Sequence, residues 1–211
     1  MKPPLALPLF LKVLFLWQTC LVAEVKSYKA DVCVYGGTAS GVMAALASEK
    51  EGSKVILIEP TRYLGGMTGG GINHLDWGKG ETVGGSTYKI LMEGLKDQKR
   101  AHGGHAKHGI GNKQYRERFK KLVKDRGITV IYDHRVGKVQ VGDETFDKPT
   151  RQQPIAMGEK IPSKNKNNSI ESIFLDYAPV DEIGCPIPEP KKRNAITISA
   201  KVFIDCSYEG D

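Results

Sequence analysis

The sequence predicts an α/β fold built on a mainly parallel sheet, and three observations predict it. A Val-rich run closes on a glycine turn, and an Ala-rich helical run and a second apolar strand follow at once. The second half holds several further strand-like runs, which read as an inserted β-rich segment. Of the 24 glycines, many cluster between Gly36 and Gly85, which implies tight turns and close backbone approach rather than disorder. At 211 residues, 40% hydrophobic and 26% charged, the chain has the size and composition of one ordinary globular domain.

Taken in order, residues 1–23 form a leader. Lys2 and Lys12 supply positive charge, an apolar run spans 13–22, and Ala23 offers a small residue for cleavage. Prolines at 3, 4 and 8 and the interrupting Lys12 make this stretch a poor membrane span. Secreted, periplasmic or lumenal targeting is expected, with no stable span after cleavage near Ala23.

The body runs over 29–211. Residues 29–35 predict a strand, 36–41 a turn and 42–50 a helix, which Gly52 ends from just past its C-terminus. A second buried strand spans 54–58 and leads into Glu59. A glycine-rich stretch occupies 64–71. Residues 86–101 and 112–126 read as helices, the latter from the spacing of Tyr115, Phe119, Leu122 and Val123, with Gly127 as its cap. Strand-like runs follow at 128–132 and 136–141. The polar, basic, Pro-containing stretch 143–168 reads as an inserted loop, and strands return at 169–178 and 194–204. The last of these reaches almost to the end of the sequence, which predicts a domain that continues or is truncated.

Charge and cysteines exclude other classes. The formal net charge of +7 falls to +5 without the leader's Lys2 and Lys12. Much of the excess sits in 148–166 and 191–193, as solvated loops, and no basic–aromatic pattern predicts nucleic-acid binding. Cys33, Cys185 and Cys206 lie beyond the leader, without a CxxC pair, so neither a zinc knuckle nor a dithiol is expected. Cys33 reads as a small buried hydrophobe. His102, His105 and His108 recur every third residue, but Gly103-Gly104 breaks helical geometry and no carboxylate or Cys joins them, so no metal site is expected. His74 and Asp76 follow the glycine cluster without a motif that makes them catalytic, and the catalytic residues stay unassigned.

The chemistry lies in residues 31–59, a strand, glycine turn, helix and strand. Such a turn aims backbone N–H groups at an anion where the helix dipole favours it. Gly36 allows the turn and Gly41 lets the helix pack on the strand. Glu59, 18 residues after Gly41, ends the second strand where a carboxylate accepts ribose hydroxyls. The G-x-G-x-x-G pattern puts its middle glycine at 38, where Thr38 stands. Thr38 crowds the pyrophosphate, though its hydroxyl can donate to it. The expectation is a Rossmann-like FAD/NAD(P)-binding domain. Glu59 argues against the 2′-phosphate of NADP, and NAD remains the alternative cofactor.

The runs DVCVYGGTASGVMAA and VILIEPTRYLGGMTGGG resemble the FAD-dependent oxidoreductases of the glutathione-reductase-like superfamily. More narrowly, they are similar to a secreted bacterial group labelled FAD-dependent oxidoreductase or xanthan lyase-like. That group shows GGT in the turn, E-P-x-x-x-L-G-G-M and a later A-K-V-F-I-D-x-x-Y-E-G-D, and all three occur here in order. The resemblance implies FAD as a non-covalent cofactor and Thr38 as a family trait. It implies that Gly36, Gly37, Thr38 and Gly41 cradle the pyrophosphate and that Glu59 binds the adenosine ribose. Gly65, Gly66, Met67 and Thr68 would line the pyrophosphate–ribityl–flavin side, and the Val136 backbone would contact adenine. Cys206 stands where the family has a small Ala. The expected function is FAD-dependent oxidoreduction, and the sequence does not identify the substrate, small-molecule or carbohydrate-like. The alternatives are a truncated, non-catalytic fragment of such an enzyme or an NAD-dependent oxidoreductase.

Overall fold

The computed structural model describes residues 25–70, 84–86, 112–147 and 169–208. In chain order these form β1 (Lys26–Tyr35), α1 (Ala39–Lys50), β2 (Val55–Glu59), α2 (Gly66–Gly70), α3 (Asn112–Asp125) and β3 (Thr129–Tyr132). Then come β4 (His134–Val141), β5 (Glu144–Asp147), β6 (Ile170–Tyr177) and β7 (Lys192–Asp205). The leader, His74, Asp76, His102, His105 and His108, nearly all of the helix expected at 86–101 and most of 143–168 lie outside the described residues.

The sheet order is β3-β2-β1-β7-β6-β4-β5. β3, β2, β1 and β7 are parallel, while β6, β4 and β5 continue the sheet antiparallel. The α/β expectation with an inserted β-rich segment therefore holds. β7 joins the two parts. It pairs with β6 through Ser199 and with β1 from Ile196 to Asp205. This pairing extends β1 and β7 beyond the lengths that local pattern predicts.

Alternation along each central strand feeds two cores. Val32 and Val34 of β1 and Val55 and Leu57 of β2 face α1 and α3, meeting Val42, Ala45, Tyr115, Phe119 and Val123. The intervening Cys33, Tyr35, Ile56 and Ile58 face the antiparallel segment, meeting Val136, Ile173, Leu175 and Ile198. Because both faces are covered, β1 and β2 read as continuous apolar runs rather than alternating ones. Each such aliphatic side chain contributes about 1.5–3 kcal/mol on burial. Cys33 behaves as the small hydrophobe its strand implies, and burial pushes its thiol up to about 12.

The helix ends follow local chemistry. α1 and α3 each close in a Schellman pair, Ser53 N–H to Ser48 O with Gly52 N–H to Glu49 O, and Ile128 N–H to Val123 O with Gly127 N–H to Lys124 O. One expectation is corrected. Residues 144–147, assigned to the start of the inserted loop, form β5, whose Glu144 pairs with Val141 of β4. The two-residue link Gly142-Asp143 is a hairpin turn with its glycine first, at φ 59°.

Candidate functional site

The C-terminal ends of β2, β1 and β7 lie side by side, and three separate motifs meet there. Gly36 carries β1 one step further, donating its N–H to the Ile58 carbonyl at 2.9 Å, and then turns the chain at φ +90°. A Cβ at Gly36 would stand 2.7 Å from both the Cys206 carbonyl carbon and the Ser207 nitrogen, so a side chain there would collide with the end of β7. Gly37 donates its N–H to Glu59 Oε2 at 2.8 Å. Its carbonyl accepts the Gly65 N–H at 2.7 Å, which draws the second glycine turn beside the first. Gly41, in the first turn of α1, lies directly on the Gly36 carbonyl.

Thr38 is the N-cap of α1. Its hydroxyl accepts the Gly41 N–H at 3.1 Å and donates to the Cys206 carbonyl at 2.9 Å. In this arrangement the hydroxyl's single proton goes to the Cys206 carbonyl. The side chain turns inward because a helix N-terminus lacks intrahelical acceptors for its first N–H groups, and Thr supplies one. Ser40, missed by motif reasoning, is the exposed residue at this end of α1, and the first turn carries no acidic side chain. Cys206 sits against Ser40. Burial raises its thiol pKa, the Ser40 hydroxyl bond opposes that rise, and the Asp205 charge adds to it.

Glu59 is only 6% exposed. Besides Gly37, its carboxylate accepts the Thr61 N–H at 2.7 Å and the Thr61 hydroxyl at 2.6 Å. Burial, then the charges of Glu59 and Glu117, push the neighbouring Tyr132 phenol upward. Glu59 thus stands where the sequence predicts, but it fastens the first glycine turn to the segment after β2. A carboxylate has about four acceptor positions, so three protein donors fix both oxygens in place.

The second glycine turn packs on α3. Gly65 rests on the Phe119 ring, and Arg116 Nε donates to the Gly69 carbonyl at 3.0 Å. The same guanidinium lies 3.7 Å from the Tyr63 ring centroid, a cation–π contact. Met67 is exposed and Thr68 half-buried. The Met67 N–H reaches the Tyr208 hydroxyl at 2.8 Å. Val136 is apart from these turns. Its side chain is in the core between β4 and the parallel strands. Its strand starts next to Asp133, whose N–H reaches the Thr61 carbonyl at 3.3 Å and whose carboxylate pairs with Arg62.

Thr61 was findable, since a Thr two residues after a carboxylate commonly bonds it locally. Arg116 carries no comparable signal, and Tyr208 is marked only as the Tyr of the Y-E-G-D motif, which names no partner. Among the described residues, no group of three His, Cys, Asp or Glu side chains is placed to hold a metal. Likewise among them, no helix is long and apolar enough to cross a membrane.

The family described as FAD dependent oxidoreductase matches residues 31–157. No curated protein matches the chain. Solved structures similar to it include L-proline dehydrogenase from P. horikoshii, at 15% identity and TM-score 0.42 over 87% of this chain and 23% of that one. A geranylgeranyl bacteriochlorophyll reductase-like protein from Thermoplasma acidophilum is 15% identical, at TM-score 0.44, over 85% of this chain and 39% of that one. Bacillithiol disulfide reductase from Bacillus cereus is also 15% identical, at TM-score 0.43, over 84% and 39% respectively. The chain thus spans well under half the length of these proteins.

Proposed function

The chain belongs to the FAD dependent oxidoreductase family, and from that premise we propose that it binds FAD non-covalently where β1, β2 and β7 end. One observation carries the proposal: the Gly36–Thr38 turn, the Gly65–Met67 turn and the end of β7 are hydrogen-bonded to one another around the N-terminus of α1. The fit to a dinucleotide rests on that helix end. It is twelve residues long, has no acid in its first turn and leaves Ser40 exposed.

In this reading Gly36, Gly37 and Gly41 shape the turn and Thr38 locks it, so that α1 presents its positive end to the pyrophosphate. Glu59 accepts ribose hydroxyls with oxygens already oriented by Gly37 and Thr61. Gly65, Gly66, Met67 and Thr68 flank the path toward the flavin, and the Val136 backbone meets adenine. FAD, when bound, supplies the hydride or electron transfer, and the protein supplies placement and exclusion of water. Expression of the full chain, followed by desalting and a visible spectrum, is expected to retain flavin absorbance. A folded but colourless protein that FAD titration leaves unchanged would sink the proposal for this chain, and NAD titration tests the alternative cofactor.

The leader at 1–23 supports export with cleavage near Ala23. N-terminal sequencing of the exported protein should begin at Glu24, and a protein retained in the cytoplasm with Met1 intact would refute it.

A further inference from the structure

The three motifs of the site form a closed ring of contacts. Gly37 O to Gly65 N–H joins the first turn to the second, and Thr38 Oγ1 to Cys206 O joins the first turn to the end of β7. The third link, from the end of β7 to the second turn, is one side-chain hydrogen bond, Met67 N–H to the Tyr208 hydroxyl at 2.8 Å. Tyr208 is 60% exposed, so apolar burial does little to fix it. Its backbone is nonetheless set from behind, because Cys206 N–H bonds Tyr35 O at 2.7 Å and Ser207 N–H bonds Asp205 Oδ1 at 2.8 Å.

Gly66 answers the same contact from the other side. It has φ +52°, and a Cβ there would collide with the Tyr208 hydroxyl. The Met67 N–H lies in the first turn of α2, where it has no intrahelical acceptor, so the phenol oxygen satisfies a donor that the helix itself cannot. A phenol held by its backbone at one end and closing a gap at the other acts as a latch.

We propose that Tyr208 is a positioning residue that holds the Gly65–Gly70 turn in the shape that takes the flavin side of FAD. This rests on the FAD reading above. The AMP end of the cofactor meets Glu59 and the first turn, which the ring fixes without Tyr208. Loss of the hydroxyl therefore weakens FAD but spares AMP.

The test uses the full chain and Tyr208→Phe. Without ligand, amide exchange at Met67 should quicken about tenfold as its acceptor disappears. The FAD dissociation constant should rise about tenfold, the scale of one lost hydrogen bond, with AMP affinity unchanged within about twofold. Met67→Pro deletes the same bond from the donor side, in a first-turn position that tolerates proline. It should reproduce the FAD loss, and the double variant should lose no more. It also serves if Tyr208→Phe fails to fold. Unchanged exchange at Met67 overturns the latch. Tighter FAD binding overturns it too, by showing that the phenol blocks the site, as does an equal loss of FAD and AMP, which marks general loosening. A wild-type chain that takes neither FAD nor AMP overturns the FAD reading and the ligand half of this proposal, while the amide readout still decides the latch.

Discussion

Gly41→Ala is expected to destabilise the chain by about 3 kcal/mol or more, at the upper end for forcing atoms into a packed interior. The added methyl would collide with the Gly36 carbonyl oxygen and stand 3.2 Å from the Cys206 Cβ. The obstacle is backbone, so no side chain can swing aside. The Gly36 N–H is bonded to Ile58, and the preceding Tyr35 carbonyl is held by the Cys206 N–H. Relief requires α1 to lift away from β1, which opens the core at Val42 and Ala45, both fully buried. For a domain of this size the thermal midpoint should fall by roughly 6–12 °C. The matched control is Gly70→Ala, where an added Cβ meets nothing within 4 Å. It should change stability by less than about 0.5 kcal/mol or improve it, as Ala replaces Gly in a helix. Equal losses in the two variants would show that close packing of α1 on the turn is not what Gly41 provides.

The parts of this arrangement that were legible in the sequence are local. β1, the turn, α1 and β2 fall within 34 residues, from Lys26 to Glu59, and each boundary has a short-range chemical mark. Thr38 shows a limit of a different kind. Thr three residues before Gly41 is a cap signal, but the dinucleotide pattern assigned its hydroxyl to a ligand instead. In the structure the hydroxyl oxygen caps α1 at Gly41 and its proton goes to the Cys206 carbonyl. β5 was hidden similarly. The Gly142-Asp143 turn marks a hairpin, yet the basic stretch that follows makes the whole region read as loop. The strand order was beyond reach. Nothing near Lys192–Asp205 states that it pairs with β6 through Ser199 and with β1 from Ile196 onward. The Tyr208 contact with Met67 spans 141 residues, and the motif that contains Tyr208 has no periodicity from which to infer its partner.

Glu59 separates two meanings that a sequence motif merges, binding a cofactor and building the site that binds it. Glu59→Ala is expected to cost about 3 kcal/mol in the ligand-free chain, because it strands the buried Gly37 N–H and the Thr61 N–H without an acceptor. Glu59→Gln should cost about 1–2 kcal/mol, since one terminal atom becomes a donor and must face either Gly37 or the Thr61 pair. Urea midpoints of the ligand-free variants measure this directly. FAD affinity should fall in both variants, and further in Glu59→Ala, where the turn loses its anchor as well as a ribose acceptor. If Glu59 served the ribose alone, Glu59→Gln would be as stable as the wild type without ligand and defective only in binding. The three protein donors on its oxygens favour the other order of events. The carboxylate fixes the turn, and on the proposed reading a ribose would then meet acceptors that are already immobile, so less ordering entropy would oppose binding. A rigid preformed acceptor also explains why a residue whose ligand would come from solvent is 94% buried, with Thr61 and Gly37 holding it there.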